Sequence, residues 1–441
     1  MRLDRRLQIP NSLMRQPLAE ARRPQILFLV HRIPYPPDRG DRIRSYHLLR
    51  YMSARADVHL ATLADEPVTP ETMAALRGCA REVCVARLDR FRWLRGAKNV
   101  LLGRPASEGL FQSRLLSNTV HRWRRHRRFD AIVVYCSSMF HYVRAPHNGN
   151  THLIVDLVDV DSQKFFDYAE TARGWKRHLF RREGTLLRRV EREVVERAAA
   201  VVLVSENEAR LFRSICPNDR TFSVTNGVDF DYFKPVDGDG IPGRCVFVGA
   251  LDYRANVDGV LWFCRHVWPR VRQARPDAAF AIVGRNPVAE IRELRHIDGV
   301  EVVGATPDVR PHLADASVAV APLRIARGIQ NKVLEAMAMR RAVLASTQAL
   351  EGLNAAPGRH VVVAESPGQW VEETLKLMQD SQLRSTIGNA GRKYVESHHD
   401  WNTCLAPFSA ILGAEVPDLN RDLATTEPAD HAPCQMAPPL P

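Results

Sequence analysis

The sequence contains no apolar run of the roughly 18 residues that a membrane-spanning helix needs. Its longest apolar stretches, such as AAAVVLV, have only the length of a β-strand. The first residues, MRLDRRLQIPNSLMRQPLAEARRPQ, are basic and lack the apolar segment of a secretory signal. The eight cysteines form no C-x-x-C pair and no disulfide-like spacing. These absences favour a globular, cytoplasmic protein with reduced thiols.

Familiar catalytic signatures are missing as well. The chain has no G-x-x-x-x-G-K-[ST] phosphate loop, no H-E-x-x-H zinc motif, no G-x-S-x-G nucleophile motif and no G-x-G-x-x-G after a strand. The sixteen histidines form no ligand-spaced pair on a predicted helix. We therefore expect neither a metal nor a cofactor, and a catalytic cysteine is disfavoured.

The net charge of +12 is spread unevenly along the 441 residues. Residues 1–225 hold a large excess of Lys and Arg, whereas the remainder is mildly acidic. The densest basic runs are HRWRRHRRF at 121–129 and RGWKRHLFRREGTLLRRVER at 173–192. Such runs are typical of solvated helix faces or of contact with an anionic surface. No recognised nucleic-acid-binding module accompanies them, so an anionic membrane surface is the candidate partner and nucleic acid is not expected.

Short apolar runs alternate with helical segments through most of the chain. ILFLV, DAIVVY and HLIVDLV are early strand candidates, and CVFVG, AFAIVG and SVAVAPL resume the pattern after residue 240. A long charged helix is predicted at about 163–198. This alternation is typical of parallel sheets covered on both faces. The sequence therefore predicts an α/β fold with two Rossmann-like, doubly wound parallel-sheet domains facing a cleft.

The domain limits follow from composition. The stretch TNGVDFDYFKPVDGDGIPG, rich in Gly, Asp and Pro, separates the two series and is interpreted as a hinge. We expect a basic extension at 1–24, one domain at 25–225, a second at 226–396 and a final helix at 397–415. Residues 416–441, which include TTEPADHAPCQMAPPLP, have the composition of a disordered tail.

Ligands of open α/β sheets bind at the carboxyl ends of the strands, so residues just after strands are the site candidates. In the first series these are Gly40, Asp41, Asp159 and Asp161. In the second series they are Gly249, Arg285, Arg324, Arg327, Gly328, Asn331, Lys332 and Glu335. Loop and turn chemistry explains any one of them, but it explains poorly why four bases occur at the same end of one sheet.

The segment RGIQNKVLEAMA at 327–338 is the most informative of these. Its second half has the apolar pattern of a buried helix, yet Lys332 falls in the first turn. A helix amino end carries partial positive charge and disfavours a base. A lysine at this end therefore predicts a bound anion.

Several blocks of the sequence, in order, resemble one known group of enzymes. They are ILFLVHRIPYPPDRGDRIRSYHLLRYM, VDLVDVDSQKF, AVVLVSENEARLF, TNGVDFDYFKP, VFVGALDYRANVDGVLWF, IVGRNP and VAPLRIARGIQNKVLEAMA. From about residue 25 to 412, the chain resembles the retaining, two-Rossmann-domain (GT-B) sugar transferases of glycosyltransferase family 4. More narrowly, it is similar to those associated with the PEP-CTERM/exosortase exopolysaccharide system of Gram-negative bacteria. In such enzymes the final helix crosses back onto the N-terminal domain.

The resemblance implies an N-terminal acceptor domain and a C-terminal domain that binds a nucleotide-diphosphate sugar. Lys332, with Arg324 or Arg327, would neutralise the departing diphosphate, and Gly249, Arg285, Gly328 and Asn331 would complete the donor site. Glu335 matches the second Glu of the family's Glu-x7-Glu motif, which binds the nucleotide ribose. Gly40 and Asp41 would belong to the acceptor and phosphate loop. Asp159 and Asp161 would orient the acceptor or stabilise positive charge on the sugar.

The chain also departs from the family pattern. Arg327 stands where the first Glu of the motif is expected, and Ala250 and Asn256 stand where relatives carry an Arg and a Lys. Two structural alternatives stay open here. Lys332 and Glu335 could form a surface i,i+3 pair, and Asp159 and Asp161 could cap the helix that begins near Ser162.

The function expected from these features is transfer of a sugar to a saccharide or polyprenyl-linked acceptor during exopolysaccharide biosynthesis. The enzyme would be cytoplasmic and peripheral at the inner face of the plasma membrane. Two alternatives are a nucleotide-sugar epimerase on the same architecture and a catalytically weakened binding or scaffold protein.

Overall fold

The structure is a computed structural model that describes residues 22–145, 151–236, 238, 240–326 and 328–412. In its first half, parallel strands alternate with helices: β1 (Gln25–Val30), α1 (Gly40–Ser53), β2 (Asp57–Ala64), α2 (Pro70–Cys79), β3 (Glu82–Arg87), α3 (Arg92–Leu101), α4 (Ala106–Leu110), α5 (Arg114–His126), β4 (Ala131–Tyr135), a 3-10 helix (Ser137–Val143), β5 (His152–Val158), α6 (Asp161–Thr171), α7 (Trp175–Arg197), β6 (Ala200–Leu203), α8 (Glu206–Ile215) and β7 (Thr221–Ser223). These strands form one sheet in the order β3-β2-β1-β4-β5-β6-β7.

The second half repeats this plan: β8 (Ile241–Val248), α9 (Arg254–His266), α10 (Trp268–Ala274), β9 (Ala279–Val283), α11 (Ala289–Glu293), a 3-10 helix (Leu294–His296), β10 (Val300–Gly304), α12 (Arg310–Asp315), β11 (Ala316–Ala321), α13 (Asn331–Ala338), β12 (Ala342–Ala345), a 3-10 helix (Gln348–Leu350), β13 (Val362–Val363), α14 (Pro367–Gln379), α15 (Ser381–His398) and α16 (Trp401–Ile411). The strands form a second parallel sheet in the order β10-β9-β8-β11-β12-β13.

Both sheets are doubly wound, with helices on both faces. The side chains of β1 show why both faces need to be covered. Leu27 and Leu29 pack into one apolar cluster, whereas Ile26, Phe28 and Val30 pack into another on the opposite face. Successive strand side chains point to opposite faces, so a continuous apolar run needs helices on both sides. The predicted fold class is therefore confirmed. In each sheet the strand order reverses beside the first strand, between β1 and β4 and between β8 and β11.

Helix α16, the last among the described residues, packs against the N-terminal half. The ring of Trp401 stacks on His47 of α1 at 4.3 Å between centroids. Tyr51 and Ser409 share a hydrogen bond of 2.6 Å between their hydroxyl oxygens. The apolar cluster that contains β1 also includes Phe408. This packing ties α16 to α1.

The prediction of a single helix at about 163–198 is wrong. Two helices, α6 and α7, occupy this stretch, with a break that contains Gly174 at a φ of 61°. That conformation is favourable for glycine and ends the helical path. The basic run at 173–192 therefore begins a new helix instead of lying within one.

The described residues contain neither a membrane-spanning helix nor a cluster of metal-ligating side chains. No helix there is long and apolar enough to cross a membrane. No group of three or more His, Cys, Asp or Glu side chains there is placed to hold a metal ion. Most of the predicted N-terminal extension and the predicted tail lie outside the described residues, and the proposed domain limits stay predictions.

Candidate functional site

At two points, predicted site residues of the first half lie close to predicted site residues of the second half. A Cβ added to Gly40, at the start of α1, would lie 3.8 Å from Asn331 Nδ2 at the start of α13. A Cβ added to Gly328 would lie 2.8 Å from Asp159 Oδ1, and Gly328 has a φ of 62°. Only glycine combines this conformation with so little bulk. The amino ends of α1 and α13 therefore face one cleft, and both helix dipoles favour an anion there.

Lys332 lies in the first turn of α13 and extends towards the loop after β8. Its Nζ donates hydrogen bonds to Asn256 Oδ1 at 3.1 Å and to Gln330 Oε1 at 3.2 Å. A Cβ added to Gly249 would lie 3.2 Å from Lys332 Cε and 2.8 Å from Asn256 Nδ2. A side chain at Gly249 would therefore displace both groups. Asn256 is a site residue that the sequence marked only as a departure from the family pattern.

The protonation of Lys332 and Glu335 is sensitive to pH near neutrality. Burial lowers the pKa of Lys332 to about 8, although Glu335 opposes this shift. Burial raises the pKa of Glu335 to about 7, although Lys332 opposes that shift. Both side chains are partly buried, so a solvated surface pair is disfavoured. Since Lys332 donates to two neutral amides, a bound anion would stabilise its charged form.

The predicted arginines of the second half have different surroundings. Arg285 Nη1 donates to Asp38 Oδ2 at 3.0 Å across the cleft. Arg324 binds Asp258 through two hydrogen bonds, of 2.9 and 2.5 Å. Arg327 lies outside the described residues. The two described arginines already face a carboxylate, so each must give up or share that partner to bind an anionic ligand.

Asp159 is presented by an irregular end of β5. The pairing of β5 with β6 shifts register between Asp156 and Val158. Val158 has a φ of 69°, which is strained for a β-branched residue. Asp156 Oδ1 accepts a hydrogen bond of 3.1 Å from Val158 N and holds this turn. This turn leads out of the sheet and places the Asp159 carboxylate against the backbone of Gly328.

The capping role considered for Asp159 and Asp161 is not what the structure shows. Helix α6 begins at Asp161 with Val160 at its N-cap and no side-chain capping bond. The N–H groups of Val160 and Ser162 donate to carboxylates of α8 and α7, at 2.7 and 2.8 Å. Asp161 Oδ2 instead accepts a hydrogen bond of 2.5 Å from Ser137 Oγ. Neither aspartate therefore caps α6.

Asp159→Asn is expected to make the protein more stable than wild type at pH 8, by on the order of 2 kcal/mol. Burial, with a contribution from Glu208, raises the pKa of Asp159 to about 7. Because the folded pKa exceeds the unfolded one, the wild type loses stability as pH rises from about 4 through about 7. The asparagine variant lacks this loss. Urea denaturation at pH 5 and pH 8 measures the difference.

The matched control for this prediction is Asp219→Asn, because the side chain of Asp219 is exposed. This control should track the wild type at both pH values. A variant Asp159→Asn that shows the same difference from wild type at pH 5 and pH 8 would contradict the argument.

Asp41, at the start of α1, is fixed by two bases. Arg32 Nη1 donates to Asp41 Oδ2 at 2.8 Å, and His31 Nε2 lies 3.4 Å from the same oxygen. Burial would raise the pKa of Asp41, but His31 and Arg32 hold it well below its usual range. Burial would lower the pKa of His31, but Cys136 and Asp41 raise it to about 10. Sequence reasoning missed these bases, although both directly follow β1.

A buried ion pair between α1 and β5 lies behind the cleft and links the first sheet to the amino end of α13. Arg44 of α1 and Asp156 of β5 are both fully buried, with 2.9 Å between Nε and Oδ2. Arg44 Nη1 also donates to Val224 O at 2.8 Å and to Asn226 Oδ1 at 2.9 Å. Asn226 Nδ2 in turn donates to Asn331 Oδ1 at 3.2 Å. This series of bonds runs from the first sheet to the amino end of α13.

Comparison with known families identifies both halves. Residues 39–227 match the family described as Glycosyl transferase 4-like domain, and residues 242–380 match the one described as Glycosyl transferases group 1. A comparison with curated proteins finds no match.

Solved structures share the fold across nearly the whole chain. Sucrose-phosphate synthase from Thermosynechococcus elongatus has a TM-score of 0.66 at 18% identity, with 91% of this chain and 99% of that chain covered. HepE from Anabaena, in complex with UDP and glucose, has a TM-score of 0.62 at 14% identity, with 88% and 99% covered. A TarM variant from S. aureus, in complex with fondaparinux, α-GlcNAc-glycerol and UDP, has a TM-score of 0.64 at 11% identity, with 89% and 100% covered.

The fold and the two matched domains define the class of the protein: it is a GT-B glycosyltransferase. More particularly, the chain joins a glycosyl transferase 4-like domain to a group 1 domain. The expected enzyme class is thereby confirmed. The narrower resemblance to PEP-CTERM-associated enzymes stays a prediction.

Proposed function

We propose that the cleft binds a nucleotide-diphosphate sugar and transfers its sugar with retention of configuration. The observation that carries this proposal is the position of Lys332, a partly buried base with neutral partners at the amino end of α13. The amino end of α1 approaches the same point through Gly40. A base and two helix dipoles at one place suit a diphosphate better than a neutral ligand. The UDP complexes of HepE and TarM support this choice.

Each donor-site residue then has a distinct role. Lys332 neutralises charge that develops on the leaving diphosphate. Glu335, one turn further along α13, accepts hydrogen bonds from the ribose hydroxyls. Gly249 and Gly328 let the backbone approach the ligand closely, since neither site has room for a Cβ. Arg285 and Arg324 bind the donor by giving up or sharing their present carboxylates.

The proposed reaction takes place on one face of the sugar. The bond between the anomeric carbon and the diphosphate oxygen breaks, and the acceptor oxygen forms a new bond to the same carbon. The acceptor proton passes to the departing phosphate oxygen. Asp159 and Asp161, free of capping, orient the acceptor hydroxyl or stabilise positive charge on the sugar. The protein contributes positioning and electrostatic stabilisation.

The proposed acceptor is a saccharide, free or linked to a polyprenyl carrier, and the proposed setting is exopolysaccharide assembly on the cytoplasmic side of the membrane. The acceptor would bind in the first half, which matches the 4-like domain. The complex of TarM with saccharide ligands supports a saccharide acceptor. The sequence blocks that resemble PEP-CTERM-associated enzymes support the setting. A panel of nucleotide sugars, scored by thermal shift and by nucleotide release with and without acceptor, tests the function.

Glu335→Ala is expected to weaken nucleoside diphosphate binding about tenfold or more and to leave pyrophosphate binding nearly unchanged. The reason is that the carboxylate binds ribose hydroxyls, and a hydrogen bond to a charged group contributes about 1.5–3 kcal/mol. Calorimetric titration with both ligands measures the two affinities. Glu372→Ala, which changes an exposed glutamate of α14, is the control. Equal losses for both ligands would remove Glu335 from the ribose site.

A further inference from the structure

Helix α3 presents apolar side chains to solvent at helical spacing. Trp93 is 64% exposed, Leu94 66% and Leu101 88%, with Phe91 and Leu102 exposed at the two ends of the helix. Leu94 and Leu101 are two turns apart and therefore lie on one face. A helix of a globular protein normally turns such a face towards the core. Exposed apolar groups this close together mark an interaction surface.

The outward orientation of α3 is fixed by its packing. A Cβ on Gly109 of α4 would lie 2.5 Å from Arg95 O, and a Cβ on Gly96 would lie 3.1 Å from Leu110. The two helices thus meet almost backbone to backbone. Arg182 of α7 donates a hydrogen bond to Val100 O. These contacts hold the inner face of α3 against α4 and α7, so the apolar residues stay outside.

The start of α7 extends this surface. Trp175 is 70% exposed, and Leu179 is exposed one turn later. Arg182, one turn after Leu179, donates to Val100 O, which places this part of α7 beside the C-terminal end of α3. We use the name α3 surface for Phe91, Trp93, Leu94, Leu101, Leu102, Trp175 and Leu179.

Basic residues border the α3 surface. Arg90, Arg92, Lys98 and Arg104 lie on or beside α3, and Arg173, Lys176, Arg177 and Arg181 lie on or beside α7. Within residues 90–104 and 173–182 there is no acidic residue. Aromatic and aliphatic side chains ringed by bases match the boundary of an anionic bilayer, where rings enter the headgroup region and bases bind phosphates.

The other basic run predicted to bind an anionic surface is less suited to it. In residues 121–129, Trp123 and Phe129 are both buried in the apolar core. Arg127 already pairs with Glu82, and this run has no exposed apolar side chain to act as an anchor. The structure therefore moves the candidate contact from that run to α3 and the beginning of α7.

The α3 surface adjoins the cleft through a short series of ring contacts. Phe180 of α7 lies 5.9 Å from the ring of Tyr168 on α6. The guanidinium of Arg254, from the second half, lies 5.6 Å from the centroid of the same ring. A bilayer at the α3 surface would thus lie near the mouth of the cleft.

We propose that the α3 surface docks the enzyme on an anionic lipid bilayer. This inference deepens the proposed lipid-linked acceptor, but docking itself needs neither donor nor catalysis. The large apolar side chains would insert into the headgroup region of the bilayer. The surrounding bases would make this binding depend on anionic lipid and on salt. The bilayer would hold a lipid carrier beside the cleft while the protein stays outside the hydrocarbon core.

Vesicle co-sedimentation tests the proposal directly. The full chain is mixed with phosphatidylglycerol vesicles or with phosphatidylcholine vesicles of the same size, at low and high salt. The wild type should sediment with the anionic vesicles at low salt and stay in solution otherwise. One variant combines Trp93→Ser, Leu94→Ser and Leu101→Ser. A second combines Lys98→Glu, Arg177→Glu and Arg181→Glu, and keeps Arg182 because it binds Val100.

Each of these variants should bind anionic vesicles at least about tenfold more weakly than wild type. The apolar control is Phe222→Ser with Ile241→Ser, since both side chains are exposed and belong to β7 and β8 instead of α3 or α7. The charge control is Arg265→Glu, Arg270→Glu and Lys393→Glu, which changes exposed bases of the second half by the same amount. Both controls should bind vesicles as the wild type does.

Several results would overturn the proposal. They are a wild type that stays in solution, equal binding to neutral vesicles, and variants that sediment like the wild type. A wild-type dimer that the apolar variant converts to monomer, without vesicle binding, would assign the surface to self-association. Nucleoside diphosphate affinity is measured on every variant, so loss of docking with intact nucleotide binding separates this inference from the donor site.

Discussion

Lys332→Ala is expected to remove most of the stabilisation that a nucleoside diphosphate gives to the wild type. At 100 times its dissociation constant, a ligand that binds only the folded state stabilises by about 2.7 kcal/mol. Lys332 is the partly buried base at the meeting point of α1 and α13, and Asn256 and Gln330 hold its Nζ in place. Neither amide can replace its charge. Thermal unfolding with and without UDP or GDP measures the loss.

The apo protein should lose little stability in the same variant. Burial already lowers the pKa of Lys332 to about 8, so removing the ammonium relieves a desolvation cost. Affinity of the wild type for nucleoside diphosphate should also fall as pH rises past about 8, because the neutral amine cannot pair with phosphate. Lys393→Ala changes an exposed lysine and serves as the control. A Lys332→Ala variant that binds UDP as tightly as wild type would make Lys332 a structural residue only.

The fold could be predicted because its signal is local. Runs such as ILFLV and CVFVG are short and apolar at every position, which is typical of strands covered on both faces. Lys332 could be found for a similar reason, since a base in the first turn of a helix conflicts with the helix dipole. Where the local signal was weaker, at Gly174, one long helix was predicted in place of two.

The partners of the site residues could not be predicted, because they come from distant parts of the chain. Asp38 is 247 positions from Arg285, and Asn256 is 76 positions from Lys332. A sequence places four bases at one end of a sheet, but it does not show which of them already faces a carboxylate. Asn226 is the clearest case, because nothing local marks a hinge asparagine that bonds to both α1 and α13.

Arg44→Met is expected to lower the free energy of unfolding by about 3–5 kcal/mol, the cost of breaking a buried ion pair from one side. Arg44 and Asp156 are fully buried. Without Arg44, the carboxyl of Asp156 must either keep its charge without a counter-ion or be protonated well above its usual pKa, and both cost stability. Two further acceptors, Val224 O and Asn226 Oδ1, would lose their donor. Chemical denaturation at pH 8 measures the change, and Arg50→Met, on an exposed position of the same helix, should be nearly neutral.

A second substitution separates the charge effect from simple loss of packing. Asp156→Asn in the Arg44→Met background removes the unpaired carboxylate but keeps an oxygen that can accept the hydrogen bond from Val158 N. The double variant should therefore regain part of the lost stability at pH 8. Burial raises the pKa of Asp156 even with Arg44 beside it, and removing Arg44 raises it further. A protonated carboxyl needs no counter-ion, so the loss in Arg44→Met should be smaller at pH 5 than at pH 8. A loss that is equal at both pH values, and unchanged by Asp156→Asn, would show that Arg44 acts through packing and not through its charge.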